Sequence, residues 1–474
     1  MTVNREGIRP NLAATVILAG AAAVRIPGLT RWAFEPDELS TWRDALHMAG
    51  PSANGPGALG RPVYYFLQHV LLGVFPGSPF SLRVPALLFG LLGVWLTWGA
   101  GRRLFGGTAG IVASLLVAFS PWHQYASGFA RYWTLVYVLA LLTVLWLIES
   151  LDSGRRARFR AACLVLTLGA LTHPTFLFPI LGVILALHLV TREGNWRWEW
   201  PSRGAWANLW IPFVALFGGW VLWLKVSGNG GALSNWNGRG LAATLTIFPG
   251  MVEWLTPAVV LAAGIGVLGL WYSRRSGDRR WAVVAGSGLA SGVLLLFLAG
   301  RRTDVYADYG MAMLPLVYLT IGGAVERASA ITVHPASWAP WAAGALLAAG
   351  AVPGVASNLR DGMRFDYRPA YDFARSHGPG RLVVGPSREL QRYYAPDLPF
   401  EELRNANAQL RAMLTVSDGF WLILANHRNG WVDGDDDAQA WVDGSCRVKL
   451  RSGNHRFDYR EYNVQLAWCG GSPP

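Results

Sequence analysis

The stretch RIPGLTRWAFEPDELSTWRDALHM, residues 25–48, follows the first apolar run and carries an acidic pair, Asp37–Glu38, directly behind Pro36. Trp32, Trp42 and Arg43 surround that pair in an amphipathic run. Carboxylates next to a membrane segment mark function by default, and tryptophans settle at the membrane–water boundary. The remainder of the chain reads as a membrane scaffold that holds this loop.

The bulk numbers support a scaffold of that kind. Of 474 residues, 52% are hydrophobic and 15% charged, and mean hydropathy is +0.28. Soluble domains carry about 25% charged residues. That deficit, with 24 Trp, indicates a polytopic membrane protein. The formal charge of +12 fits loop Lys/Arg that set topology. Nucleic-acid binding is excluded, because no basic patch is interleaved with aromatics in a folded module.

Outward from residue 25, the apolar segment Asn11–Ile26 has Arg5 and Arg9 before it, the pattern of a signal anchor without a small-residue cleavage site. These arginines place its start in the cytoplasm and the 27–60 loop outside. Val63–Phe75 is too short to span and is punctuated by Pro76, Gly77 and Pro79, so it reads as an interfacial helix. Spans then follow at Leu82–Gly101, around Gly110–Phe119 and at Trp133–Ile148. Ala161–Leu189 reads as two spans split at Thr172-His173-Pro174. Further spans lie at Leu209–Leu224, Ala258–Tyr272, Trp281–Ala299, Ala307–Gly322 and Trp338–Val355. Basic clusters at Arg102–Arg103, Arg155–Arg160, Arg192–Arg203, Arg274–Arg280 and Arg327 fall on alternate loops. The expectation is a mainly α, polytopic helical protein of about 11 spans, with its N-terminus inside and its C-terminus outside.

From about Ser357 the composition turns polar. Short β-like runs RLVVG, GFWLILAN, CRVKL and NVQLAWC flank ELRNANAQLRAML, which has helical character. Two domains follow: residues 1–356 in the membrane, and 357–474 as a small extracytoplasmic α/β domain. Asp433–Asp437 reads as a solvated acidic turn, since the other positions of a calcium loop do not follow. Cys163 lies in an apolar run. Cys446 and Cys469 form a disulfide if the domain faces an oxidising compartment, with two separate thiols as the equal alternative.

Four ionisable groups gather on the outer side in this topology: Asp37–Glu38, His123 with Arg131, His173, and Arg301–Arg302 with Asp304 and Asp308. A carboxylate beside a basic ring suits sugar transfer from a lipid phosphate. The acceptor hydroxyl needs a base, and the departing phosphate needs positive charge. Asp37 fits the base, and Arg131, Arg301 or Arg302 fit the phosphate clamp. A bland reading stands beside each. The acidic pair is a loop feature, His173 a turn residue, Arg102–Arg103 a topology signal, and Asn235-Trp236-Asn237 a plain loop.

These residues carry a resemblance. PDELSTWRDAL, RPVYYFLQHVLLGVF, SLRVPALLFGLLGVWLTWGAGRRLFG, SPWHQYASGFARYW and LTHPTFLFP occur in the order of the glycosyltransferase-C superfamily. The chain resembles its protein mannosyltransferase and lipid A aminoarabinose transferase branch. The likeness covers about Arg25–Phe178. It implies a polyprenyl-phosphate sugar donor, a glycan, lipid or protein acceptor outside the bacterial cytoplasmic membrane, and inversion at the anomeric carbon. Asp37, with Glu38, would be catalytic, and Arg131 would bind the donor phosphate. Arg301, Arg302 and Tyr306 match a later family loop more loosely. Phe129 replaces a family Glu, so Glu38 or His123 substitutes for that acid, or no metal is needed. His123 and His173 are the candidates for a divalent metal or the acceptor. Two rival functions remain: a transporter or flippase of a lipid-linked or anionic substrate, and a non-catalytic scaffold subunit. A flippase would carry inverted repeats and mid-bilayer charges, and neither is seen.

Overall fold

The computed structural model describes residues 8–48, 60–75, 77–153, 155–187, 189–192, 195–198, 211, 213–226, 241–301, 305–331, 339–362, 365–378, 380–403, 409–410, 412–413, 419–427, 430–431, 436–457 and 460–470. The chain divides into two compact units. One comprises Met1–Leu29 and Thr41–Val355, the other Thr30–Ser40 and Ala356–Pro474. The first turn of the acidic loop thus belongs to the C-terminal unit, which no local pattern had indicated.

The first unit is helical. Among the described residues six helices are long and apolar enough to cross a membrane: Asn11–Arg31, Pro79–Leu104, Trp133–Ser150, Ser276–Gly300, Ala307–Ala330 and Ala342–Asp361. A seventh arises if Ile247–Leu255 and Pro257–Trp271, bent by 91° at Thr256, make one span. Gly107–Ala118, Pro174–Leu187 and Val214–Trp223 are apolar but shorter. The break at His173 separates the helix Arg156–Thr172 from Leu177–Leu187, with a 3₁₀ turn at Pro174–Phe176 between them. Pro174 forces that break, since proline bars its predecessor from helical backbone. The run from Pro62 to Val74 is a 13-residue helix burying Tyr64, Tyr65 and Gln68 on one face. At 1.5 Å per residue it reaches only about 20 Å, less than the roughly 30 Å of a bilayer core. Beyond Leu187 the chain forms a hairpin, β1 (Leu189–Arg192) and β2 (Asn195–Trp198), and residues 209, 210 and 212 of the expected Leu209–Leu224 span lie outside the described residues.

Two buried arginines lock the chain around the acidic loop. Arg25, at the end of the first helix, donates to the carbonyls of Ala118 (2.7 Å) and Val117 (3.1 Å) and to Ser127 Oγ (3.1 Å). Those carbonyls lie at the C-terminal end of the Gly107–Ala118 helix, where a cation complements the helix dipole; Val117 O also accepts from Ser120 N (3.3 Å). Arg83 Nη1 donates to the carbonyls of Gly28 (3.1 Å) and Leu29 (3.3 Å). The chain's exit from its first helix is thereby tied to the second span. Gly101 and Gly110 let the Pro79–Leu104 and Gly107–Ala118 helices touch, because a Cβ on Gly101 would lie 2.8 Å from the Gly110 Cα. Glu326 Oε2 accepts from Ala109 N (3.0 Å) and so caps the second helix of that hairpin.

The second unit is α/β. Its sheet runs β4 (Phe400–Glu402), β3 (Val383–Gly385), β5 (Gly419–His427), β8 (Arg460–Gly470), β7 (Cys446–Phe457), and β6 (Gly430–Trp431) pairs with β5. β3 is parallel to β4 and β5, while β5, β8 and β7 are antiparallel. The four β-like runs of the sequence lie on β3, β5, β7 and β8. Alternation along β5 sends Phe420, Leu422 and Leu424 into one core with Val384 and Val442. Trp421 points to the other face, edge-on to Trp468 (5.0 Å) and to Phe373 of the Arg368–His377 helix (5.7 Å). Both faces are covered, so the strand reads as a continuous apolar run. Cys446 and Cys469 are disulfide-bonded between β7 and β8. Cys163 is a buried free thiol. Most of ELRNANAQLRAML, and residues 433–435 of the acidic turn, lie outside the described residues, and Asp436–Ser445 is a helix.

Within this unit the Thr30–Ser40 segment is held tightly. Trp32, Ala33, Phe34 and Glu35 are buried. Tyr394 Oη accepts from Phe34 N (2.6 Å) and donates to Phe34 O (3.1 Å), while Arg368 Nη1 donates to Arg31 O (3.2 Å). Gly362, at φ +74°, packs its backbone against Trp32. A left-handed backbone there favours glycine.

Candidate active site

A cationic group with aromatic walls forms inside the helical unit around Tyr132. Arg131 and Tyr132 sit in the irregular link before the Trp133–Ser153 helix, and Arg61 directly precedes the Pro62–Val74 helix. The Arg61 guanidinium lies 5.0 Å from the centre of the Tyr132 ring, and that of Arg131 5.7 Å from the same ring. A ring face attracts each cation by about 0.5–2 kcal/mol and so steadies two charges that repel each other. Arg131 Nη1 also donates to Tyr65 Oη (3.0 Å) and Thr41 Oγ1 (3.4 Å). Tyr64 stands edge-on to both Tyr65 and Tyr132. Among the described residues no carboxylate lies within ion-pair distance of Arg61. Two fixed guanidiniums suit an anion with several oxygens, a phosphate above all.

His173 underlies the group. Its ring stacks on Tyr132 (4.7 Å, 17° between planes) and meets Trp133 and Tyr309 at 5.1 and 5.2 Å. Nδ1 accepts from Thr175 N (3.3 Å) and faces Thr175 Oγ1 (2.7 Å), which puts the proton of the neutral ring on Nε2. Burial first, and then Arg61 and Arg131, hold its pKa well below the ordinary histidine value. A neutral ring extends the floor without adding a third cation. Tyr306 joins through Tyr309, centroids 6.4 Å apart.

The structure thus brings Arg131, His173 and Tyr306 into one group. His123 lies elsewhere. It is fully buried, with Nδ1 3.0 Å from Arg25 Nη2 and the ring edge-on to Tyr137. The Pro121–Ser127 helix turns it into the bundle beside a cation, apart from the Tyr132 group. Arg301 is exposed at the end of the Ser276–Gly300 helix, and Arg302 lies outside the described residues. Asp37, half-buried, opens the Pro36–Leu46 helix. Glu38 is buried and its Oε2 accepts from Glu35 N (3.3 Å), closing the helix N-terminus as a capping glutamate does. Asp37 and Thr41 stand one turn apart on that helix. Among the described residues no three His, Cys, Asp or Glu side chains form a metal site.

Sequence reasoning missed Arg61, Tyr65, Tyr132 and Tyr309. The signal was present in Arg61-Pro62 at the head of an aromatic helix and in Ala130-Arg131-Tyr132, but only packing shows that they converge.

Residues 56–223, about a third of the chain, match the family model for dolichyl-phosphate-mannose-protein mannosyltransferase. The crystal structure of ArnT from Cupriavidus metallidurans in the apo state superposes with a TM-score of 0.58 at 15% identity, covering 95% of this chain and 97% of that one. The same protein bound to undecaprenyl phosphate gives 0.54, with the same identity and coverage. The fold is that of the glycosyltransferase-C superfamily. The arabinofuranosyltransferase AftD from Mycobacteria is similar as well, at a TM-score of 0.51 and 16% identity over 100% of this chain and 42% of that one. No curated protein matches the chain by sequence. In this glycosyltransferase-C fold the Tyr132 group is assembled from the first half of the chain, inside the region that the family model matches, with Tyr309 and Tyr306 added from the second.

Proposed function

We propose that the chain is an integral membrane glycosyltransferase, moving a sugar from a polyprenyl-phosphate donor to a glycan, lipid or protein acceptor with inversion. The observation that carries this reading is the convergence of Arg61 and Arg131 on Tyr132. Its fold is shared with ArnT, which has been crystallised with undecaprenyl phosphate. A lipid phosphate would lie against these two guanidiniums, with Tyr65 and His173 supporting them from behind.

In this mechanism Asp37 removes the proton from the acceptor hydroxyl as its oxygen attacks the anomeric carbon. The bond from that carbon to the phosphate oxygen breaks, and its electron pair leaves with the polyprenyl phosphate. Arg61 and Arg131 neutralise the charge gained there, where fixed donors stabilise the transition state more than the bound donor. The leaving group is already good, so no general acid is required, unlike in glycosidases. Glu38 sets the geometry of the helix that carries Asp37. Tyr306 stays a donor-site candidate through Tyr309, and Arg301 and Arg302 are not assigned to the clamp.

The proposed setting is the bacterial cytoplasmic membrane, with the Arg131 end of the bundle and the C-terminal domain outside. Support comes from Arg103, Arg158, Arg280 and Arg327, which belong to four separate expected cytoplasmic clusters. Their carboxylate partners Glu149, Asp152 and Asp278 join them at helix ends remote from Arg131.

The test is transfer in membranes from a panel of radiolabelled polyprenyl-phosphate sugars, comparing the wild type with Asp37→Asn. One donor is expected to be consumed, and Asp37→Asn to abolish this while donor binding survives. Transfer at the wild-type rate by Asp37→Asn would remove the base assignment. Consumption of no donor by either protein would favour the transporter or scaffold readings.

A further inference from the structure

At the opposite end of the helical unit, two adjoining cavities of about 310 and 380 Å³ share Arg103 and Asp152 in their walls. They lie where the Pro79–Leu104 and Trp133–Ser153 helices end and where the Arg156–Thr172 and Ser276–Gly300 helices begin. The Trp133–Ser153 helix separates them from Arg131 by about 30 Å, its 21 residues rising 1.5 Å each.

The lining is strongly cationic, and four of its arginines are fixed by carboxylates. Six arginines face three carboxylates, Glu149, Asp152 and Asp278. Arg327 grips both oxygens of the nearly buried Asp278 (2.6 and 2.8 Å), and Ser273 Oγ donates to the same carboxylate (2.7 Å). Arg280 grips both oxygens of Asp152 (2.6 and 2.8 Å), joining two spans. Glu149 takes Arg103 (3.1 Å) and Arg158 (3.4 Å). Arg155 and Arg275 line the cavities with no carboxylate within ion-pair distance among the described residues. Part of the wall of the 310 Å³ cavity, which Arg275 lines, is apolar, with Phe105, Ile148 and Trp281.

A topology signal alone would not take this form. Positive charge in a short loop sets orientation without fixed side-chain geometry, a cavity or an apolar floor. Four arginines fixed by carboxylates, two more with no carboxylate within ion-pair distance, and an apolar stretch of wall beside Arg275 suit an amphiphile with an anionic head. A phosphate accepts several guanidinium donors at once, and basic pockets between spans take acidic headgroups.

We propose that these cavities bind the phosphate headgroup of an anionic phospholipid, at a site separate from the one that handles the sugar donor. The headgroup sits between Arg155 and Arg275, and the first carbons of its chains lie along Phe105 and Trp281. The proposal stands whether or not the transferase reading does.

The full chain, purified in neutral detergent, is titrated with phosphatidylglycerol, phosphatidylcholine or inorganic phosphate. Retained lipid is read by native mass spectrometry and stability by thermal unfolding. Phosphatidylglycerol is expected to be retained and to raise the melting temperature, and phosphatidylcholine is not. The double variant Arg155→Gln/Arg275→Gln should bind phosphatidylglycerol about tenfold more weakly for each charge-assisted hydrogen bond lost. Arg155→Lys/Arg275→Lys should recover most of the binding, which separates charge from misfolding. Equal retention of both lipids, or wild-type binding by the glutamine variant, overturns the proposal. Protection by inorganic phosphate equal to that by phosphatidylglycerol overturns the lipid assignment.

Discussion

Tyr394 and Phe34, 360 residues apart, exchange two hydrogen bonds: the phenol accepts from the Phe34 amide and donates to the Phe34 carbonyl. Phe34 lies three residues before Asp37, so the C-terminal unit fixes the backbone that leads into the acidic helix. Tyr394→Phe leaves both backbone groups without that partner, at a cost of about 1–3 kcal/mol. We expect a lower melting temperature together with slower sugar transfer. If melting falls and transfer does not, the Phe34 contact supports the fold alone.

The two arginines on Tyr132 should not behave alike under conservative change. Arg61→Ala and Arg131→Ala are each expected to slow transfer by roughly a hundredfold, as loss of a transition-state charge donor does. Arg131→Lys should recover little, because the compact ammonium lacks the planar, forked donor geometry by which Arg131 reaches Tyr65 and Thr41 through one nitrogen. Tyr65→Phe removes one hydrogen bond, about 1 kcal/mol, and should cost about fivefold or less. Kinetics on membranes with saturating donor read all four. Wild-type kcat in both alanine variants removes the clamp.

His173 makes a pH prediction whose sign is fixed. Its folded pKa lies well below the ordinary value of about 6.5 because of burial, Arg61 and Arg131. Below pH 6.5 the unfolded chain takes up a proton that the folded chain refuses, so stability falls as pH drops from about 7 towards 5. The slope from one such group approaches 1.4 kcal/mol per pH unit. His173→Phe keeps a ring against Tyr132 and should flatten the profile by about one proton. Denaturation of both proteins at pH 7 and pH 5.5 measures this, and parallel profiles would refute it.

Arg25 is expected to be the least replaceable residue of the bundle. Arg25→Met removes the guanidinium that donates to the Val117 and Ala118 carbonyls and to Ser127 Oγ in the buried core, at about 3 kcal/mol or more. Arg25→Lys restores the charge but only a compact head for partners on several sides. Both should reduce the folded yield, read by gel filtration in detergent. A lysine variant as stable as the wild type would show that charge alone suffices.

Reduction of the Cys446–Cys469 disulfide should loosen the C-terminal unit selectively. The bond closes a loop with a sequence separation of 23 residues, and crosslinks of that size contribute about 2–4 kcal/mol. Cys446→Ser/Cys469→Ser is expected to expose β7 and β8 to hydrogen exchange while the helices of the membrane unit keep their protection. Unchanged exchange in β8 would count against this.

What the amino-acid order determined alone follows from one-dimensional chemistry. Long apolar runs must satisfy their backbone within helices, so the helical class and most helix positions were legible, as was the break at His173-Pro174. Alternation and aromatic content placed β3, β5, β7 and β8. The arginines at helix ends gave an expected orientation, and Arg103, Arg158, Arg280 and Arg327, from four of the five basic clusters, meet Glu149, Asp152 and Asp278 at one end of the helical unit. Tertiary structure decided the rest, because side chains far apart in sequence meet only through packing. Arg61 and Arg131 share the Tyr132 face although 70 positions apart. His123 turns inward to Arg25, and residues 30–40 fold with the C-terminal unit. No local pattern encodes such meetings: a guanidinium has the same propensity whether it faces a ring, a carbonyl or a membrane surface, and only the surrounding packing selects among them.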